Sequence, residues 1–199
     1  MIVPSIRDYV VAKASGRNVF YVGASDDNGR IADAALKVKA VAKSWWGLDI
    51  DRRIVTDEFT DSILIADLNG DFSFDVKGVD LVIMTEVLEH LVSPANTLRR
   101  LAESFPGCDF LGSVPNGMAI GRVFMGLLSP SMYNWQDGRH MMLFNPNTLR
   151  NTLKFAGMDE LRIIPYEQRR SLRWFTKFRP DFASGYIIEA KLPNVKSRK

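Results

Sequence analysis

The run Val79–Leu91, VDLVIMTEVLEHL, decides how this chain folds. Val79, Leu81, Val82, Ile83 and Met84 make an apolar stretch that reads as a buried parallel strand. At Glu86 the pattern switches abruptly to what reads as the first turns of a helix carrying Glu86, Glu89 and His90. Positions i, i+3 and i+4 of a helix share one face. The three side chains are therefore expected to project together from the carboxyl end of a central strand, where ligands of open α/β sheets bind. Two carboxylates and an imidazole in one patch suit three roles: holding a metal ion, moving protons, or capping and solvating a helix.

Outward from this run, short apolar segments alternate with helical patterns, as in a doubly wound parallel sheet. Strands are expected at Asn18–Val22, Ser44–Ile50, Ser62–Ala66, Val79–Met84, Asp109–Val114, Leu161–Pro165 and Tyr186–Ala190. Helices are expected at Arg30–Lys43, from about Glu86 to a break near Ser93-Pro94, and at Ala95–Glu103. A further helix should start at Asn145-Pro146, a good N-cap followed by a residue suited to the first helical position, and end at Gly157. The fold class that follows is α/β: a single Rossmann-like domain over 1–199, with about seven strands, mostly parallel, the last antiparallel. Two segments interrupt the rhythm. Residues 117–139 are rich in Met, Phe, Leu, Tyr and Trp and read as a lid or acceptor insertion; residues 168–182 are basic and aromatic; 191–199 read as a frayed tail.

Composition bounds the rest. A chain of 199 residues suits one domain, and 46% hydrophobic with 25% charged residues is ordinary for a globular protein. No apolar run approaches the roughly 20 residues that span a bilayer, and MIVPSIRDYVVAK lacks the charged-then-apolar order of a leader peptide. The single cysteine, Cys108, has no disulfide partner in the chain and suits a reducing cytoplasm. Residues 150–199 carry 12 Lys/Arg and 5 Asp/Glu, whereas 1–149 carry 14 and 18. The basic character is thus confined to the last quarter, which favours an anionic partner.

A strand, a Gly-containing turn, a helix and a second strand ending in an acidic residue make a nucleotide-handling layout. The ordered set VFYVGASDDNG, WWGLDID, ADLNGDFSF, VDLVIMTEVLEHL, SVPNG and RHMMLFNPNTLRNTLKFAGM resembles the class I S-adenosylmethionine-dependent methyltransferases over about residues 17–165. The resemblance implies cofactor contacts at Gly23, Ala24 and Ser25 in the loop. It also implies Asp49 and Ile50 at the ribose, Asp67 and Leu68 at the adenine, and Thr85 with Glu86 at the methionine end. The chain departs from the family in the loop. Tyr21 stands where an acidic residue usually lies two places before the first glycine, and Ala24, Ser25 and Asp27 occupy the glycine-rich stretch, with Gly29 downstream.

Glu86-Val-Leu-Glu89-His90 further resembles a motif of the ubiquinone-biosynthesis O-methyltransferases and the small-RNA 2′-O-methyltransferases. That resemblance implies a divalent ion (Mg²⁺, Mn²⁺ or Zn²⁺) on Glu86, Glu89, His90 and a later histidine, here His140. The metal-free alternative makes His90, His140 and Glu86 acid/base or pocket residues. The function expected is methyl transfer from S-adenosyl-L-methionine to oxygen of a small or lipid-like acceptor. The competing expectation is a catalytically silent binding or scaffold protein with a degenerate loop. A cytoplasmic chain is expected, peripheral to membrane or another anionic surface through 168–182, with nucleic acid the less favoured partner and no transmembrane segment.

Overall fold

A computed structural model describes residues 2–26, 28–29, 31–55, 62–128 and 140–194. The seven expected strands form one sheet: β1 (Asn18–Val22), β2 (Ser44–Asp49), β3 (Ile63–Ile65), β4 (Leu81–Thr85), β5 (Asp109–Pro115), β6 (Asp159–Tyr166) and β7 (Gly185–Lys191). Their order is β3-β2-β1-β4-β5-β7-β6, and β7 alone runs antiparallel to its neighbours β5 and β6. The architecture is therefore α/β and Rossmann-like, as the sequence implies.

Burial shows the period of two that a strand imposes. Phe20, Val22, Val82, Met84, Phe110 and Val114 face one apolar cluster, under α3 (Pro94–Ser104) and α5 (Pro146–Ala156). Val19, Tyr21, Leu81, Ile83 and Leu111 face the other, under α1 (Ile6–Ala14) and α2 (Asp33–Val41). Four of the five residues of β4 are buried. A strand covered on both faces needs apolar residues at every position, which is why 81–84 carries no alternation.

Polar clasps tie the layers together. At the amino ends of the central strands, Arg17 pairs with Asp80 (2.6 Å) and Asp109 (2.9 Å). On β7, Glu189 accepts from Tyr9 OH (2.7 Å) and pairs with Lys13 (2.6 Å) and Arg162 (2.9 Å), joining α1, β7 and β6. At the free edge of β6, Val3 donates its N–H to Pro165 O and accepts from Glu167 N–H in a one-residue parallel bridge. Asn145 caps α5 with a full capping box, and Gly157 ends it at φ 82°, as expected.

Two local expectations are corrected. Within the described residues α2 starts at Asp33, not Arg30, which itself lies outside them. No α-helix follows β4: Glu86 has φ 54°, Val87 φ −124°, and only Leu88–His90 form a single 3₁₀ turn. The helix expected at Ala95–Glu103 forms, as α3, and starts at Pro94 in the expected break. Proline lacks an N–H and fits the first helical turn, so it starts α3 rather than interrupting it. Residues 120–128 of the apolar insertion form α4 (Ile120–Leu128), while 129–139 lie outside the described residues, as does 195–199 of the tail. The basic segment folds as a 3₁₀ turn at Arg170–Leu172, α6 (Arg173–Phe178) and a second 3₁₀ turn at Pro180–Phe182. No helix among the described residues is long and apolar enough to cross a membrane.

Candidate active site

Connections from β1 and β4 leave in opposite directions, so the sheet opens between them at its carboxyl edge. A cavity of about 550 Å³ occupies that opening. Of the eight residues expected at the cofactor, Gly23, Ser25, Asp49, Ile50, Asp67, Leu68 and Thr85 line it. Ala24 does not; it is wholly buried beneath the loop.

The loop after β1 is rebuilt rather than simply stripped of glycine. Gly23 has φ 74°, and a Cβ there would lie 2.5 Å from Val87 Cγ2, so only glycine permits the crossing of the two strand ends. Ser25 and Ile31 form an antiparallel bridge, and Ala32 N–H donates to Ala24 O. Asp26 turns the tip by accepting from Asn28 N–H (2.9 Å). Gly29, at φ 69°, lies where any side chain would run into the Arg53–Asp51 ion pair just after β2. Asp49 holds this construction: Oδ2 accepts from Ser25 N–H (2.7 Å) and Oδ1 from Asp51 N–H (3.0 Å). Each carboxylate oxygen has a further lone pair, so the buried Asp49 keeps capacity toward the cavity. Asp67 is similarly employed, accepting from Asn69 N–H (2.8 Å), with Leu68 buried beside it.

At the other end, the buried Tyr21 hydroxyl meets Thr85 Oγ1 at 3.1 Å. Glu86 then leaves β4 in the left-handed region, its N–H donating to Ser113 O (3.0 Å). Glu86 Oε1 accepts from Ser113 Oγ (2.7 Å) and Tyr166 OH (3.3 Å). The residue as a whole is exposed toward the cavity, but its carboxyl end is crowded by protein. Desolvation there raises its proton affinity, and the two hydroxyl donors, Arg122 and His90 offset this only in part. The same burial and the neighbouring carboxylate push the Tyr166 hydroxyl far up.

Glu89 belongs to a different group. It is buried, its carbonyl accepts from Met141 and Met142 N–H, and this brings His140 against the 3₁₀ turn. The His90 and His140 rings lie 4.6 Å apart. Glu89, His90 and His140 each offer a ligand atom, all within 4.8 Å of one another. The expectation that Glu86 joins them on one helical face is corrected. Without a helix the i, i+3, i+4 relation is lost, and Glu86 turns to Ser113 and Tyr166 instead.

Sequence reasoning missed Ser113, Tyr166, Arg122 and Arg53. Tyr166 was discoverable, because a polar aromatic closing a strand sits at the edge where ligands bind. Arg53 and Arg122 depend on loop paths that no periodicity reports. Cys108, half-buried with Sγ 3.1 Å from Val79 O, lies at the amino end of the sheet, away from the cavity.

No family model and no curated protein matches the sequence. Solved structures do match. A putative methyltransferase of Haloferax volcanii, solved with a methyltransferase activator, superposes with TM-score 0.63 at 16% identity, over 94% of this chain and 88% of that one. An S-adenosylmethionine-dependent methyltransferase of Mesorhizobium loti gives 0.62 at 14%, over 92% and 96%. The cyclase SpnF gives 0.64 at 14%, over 94% and 80%. Strand order, cavity and neighbours together define the class: this chain has the class I S-adenosylmethionine-dependent methyltransferase fold.

Proposed function

We propose that this chain is an S-adenosylmethionine-dependent methyltransferase acting on oxygen of a small or lipid-like acceptor. The observation that carries the reading is the cavity at the sheet's switch point. It runs from Asp49, Asp67 and Leu68 at one end to Thr85, Glu86 and His90 at the other. Asp49 would accept from the ribose hydroxyls with its remaining lone pairs, and Leu68 would pack on the adenine. The cofactor supplies a methyl group on a sulfonium, which leaves as a neutral thioether. The protein's part is to align the acceptor, exclude water and take the acceptor's proton. The adjoining imidazoles of His90 and His140 are the side chains that would take that proton. Exposed apolar residues on α4 (Phe124, Leu127, Leu128) and on Met141–Leu143 support an apolar acceptor arriving from that side.

The scaffold reading is not favoured, because a silent fold has no need of a left-handed Glu86 lining the cavity. Titration calorimetry with S-adenosylhomocysteine tests the proposal. Folded protein that takes up no ligand would overturn it.

One observation supports a divalent ion as a second reading. Two imidazoles and one carboxylate, from His90, His140 and Glu89, have the donor set and spacing that an ion such as Mn²⁺ or Zn²⁺ accepts while leaving positions open. Bound there, the ion would acidify an acceptor hydroxyl. Manganese or zinc binding that is lost in His140→Ala would support it. Unchanged uptake in that variant would remove it.

A further inference from the structure

We propose that α4, the stretch Met141–Leu143 and α6 form one docking surface for an anionic lipid bilayer. Apolar side chains of α4 enter the boundary of the acyl chains, and cations around α6 bind the head groups. The basic segment alone suggests attachment to charge; the structure adds the inserting half and joins the two. The inference stands on this surface and goes beyond the methyl-transfer reading.

α4 is built the wrong way round for a helix that packs only on its own protein. A surface helix normally turns its apolar stripe to the core and its charges to water. Phe124, Leu127 and Leu128, at i, i+3 and i+4, share a face that is exposed instead, from 60% at Phe124 to 80% at Leu127. None of the nine residues of α4 is buried, and its one charged side chain, Arg122, donates inward to Asn116 O (2.6 Å). Met141, Met142 and Leu143 are exposed as well. Apolar side chains gathered in this way mark a binding surface, whereas scattered single ones do not.

α6 supplies the complementary half. Trp174 and Phe178, one helical turn apart, are 67% and 78% exposed. Residues 168–180 hold Arg169, Arg170, Arg173, Lys177 and Arg179 and no acidic residue. Arg173 donates to the carbonyls of Pro4, Glu167 and Gln168, and Arg169 pairs with Glu167. Arg170, Lys177 and Arg179 stay exposed and form no ion pair with a described residue. The two halves are joined at the carboxyl end of β5. Asn116 Nδ2 donates to Asp181 O and Ala183 O (2.8 Å each), Gly117 N–H donates to Phe144 O (2.8 Å), and the Arg169 guanidinium lies against Gly121. Just before Met141, the His140 ring meets that of His90 on the cavity wall, so docking sets that end of the cavity beside the bilayer. Exposed cations flanking aromatic and aliphatic side chains match a membrane, whose head groups are anionic and whose boundary is apolar. A nucleic acid would use the cations and the aromatic rings but leave the leucines in water.

Sedimentation with vesicles tests the surface, comparing phosphatidylcholine alone with phosphatidylcholine carrying about 30% phosphatidylglycerol across a salt series. The wild-type protein is expected to bind the anionic vesicles and to leave them as salt rises. Leu127→Ser combined with Leu128→Ser should weaken that binding about tenfold. Lys177→Ser combined with Arg179→Ser should weaken it about thirtyfold at low salt. None of these four residues lines the cofactor cavity, so both variants should keep S-adenosylhomocysteine affinity within about twofold. If the leucine pair fails to melt as wild type does, Phe124→Ser carries the test of insertion under the same criterion. Wild-type protein that binds neither vesicle, equal binding to both, or an undiminished leucine variant would each overturn the proposal. A preference for single-stranded RNA over anionic vesicles would overturn it as well, by assigning the surface to nucleic acid. Failure to take up S-adenosylhomocysteine would instead overturn the methyl-transfer reading and leave the docking surface standing.

Discussion

Gly23 follows β1 and Glu86 follows the neighbouring β4, and each has a left-handed backbone, at φ 74° and 54°. Gly23→Ala must place a methyl 2.5 Å from Val87 Cγ2 at a φ of 74°. The expected cost is about 1–3 kcal/mol of stability, with S-adenosylhomocysteine affinity reduced by more than about tenfold. Thermal melting and calorimetry on the same preparation check both numbers. At this scale the sequence is legible where a role follows from a strand end. Asp49 and Asp67 close β2 and follow β3, and both line the cavity. It is illegible where a role depends on direction. Glu86 and Glu89 are three apart, yet one looks to Ser113 and the other lies with His90 and His140. Only the φ of Glu86 separates them, and nothing in its neighbours spells that out.

Elements are held by a few polar hubs, and Glu189 is the clearest. Burial alone would raise its carboxyl, but hydrogen bonds from Lys13 and Tyr9 outweigh that and hold it below its ordinary value of 4.5. A depressed carboxyl contributes stability that is full above the unfolded-state value and is lost as pH falls through the folded-state value. Glu189→Gln is therefore expected to lower stability by about 1 kcal/mol at pH 7, with the gap to wild type closing below about pH 4.5. Melting curves from pH 3 to 8 would sink the assignment if the gap stayed constant. Strands were legible as elements because β1 and β4 are apolar at nearly every position. The turn after β4 was not, because VLEHL satisfies a helical period and an irregular loop equally well. Pro94 decided between them by needing a helix start.

For the whole molecule, a ligand that binds only the folded state must stabilise it by mass action. S-adenosylhomocysteine at about 100 times its dissociation constant should add about 2.7 kcal/mol, read as a shift in melting temperature that grows with ligand concentration. The basic last quarter makes a second expectation. Trp174 and Phe178 on α6 are exposed beside Arg170, Lys177 and Arg179, so attachment to anionic vesicles should fall steeply with salt. Sedimentation that does not respond to salt would exclude an electrostatic contact.

The single bridge made by Val3 has a bearing on how the protein behaves in a crowded solution. β6 is the last strand of the sheet, and its outer edge would present unsatisfied N–H and C=O groups to any other extended chain. Val3 occupies the carboxyl end of that edge, accepting from Glu167 N–H and donating to Pro165 O. Trimming residues 1–4 should therefore leave the fold intact but increase self-association through β6. Light scattering across a concentration series reads that change. The amino-terminal segment is then a guard on the sheet, far in the chain from the strand whose solubility it keeps.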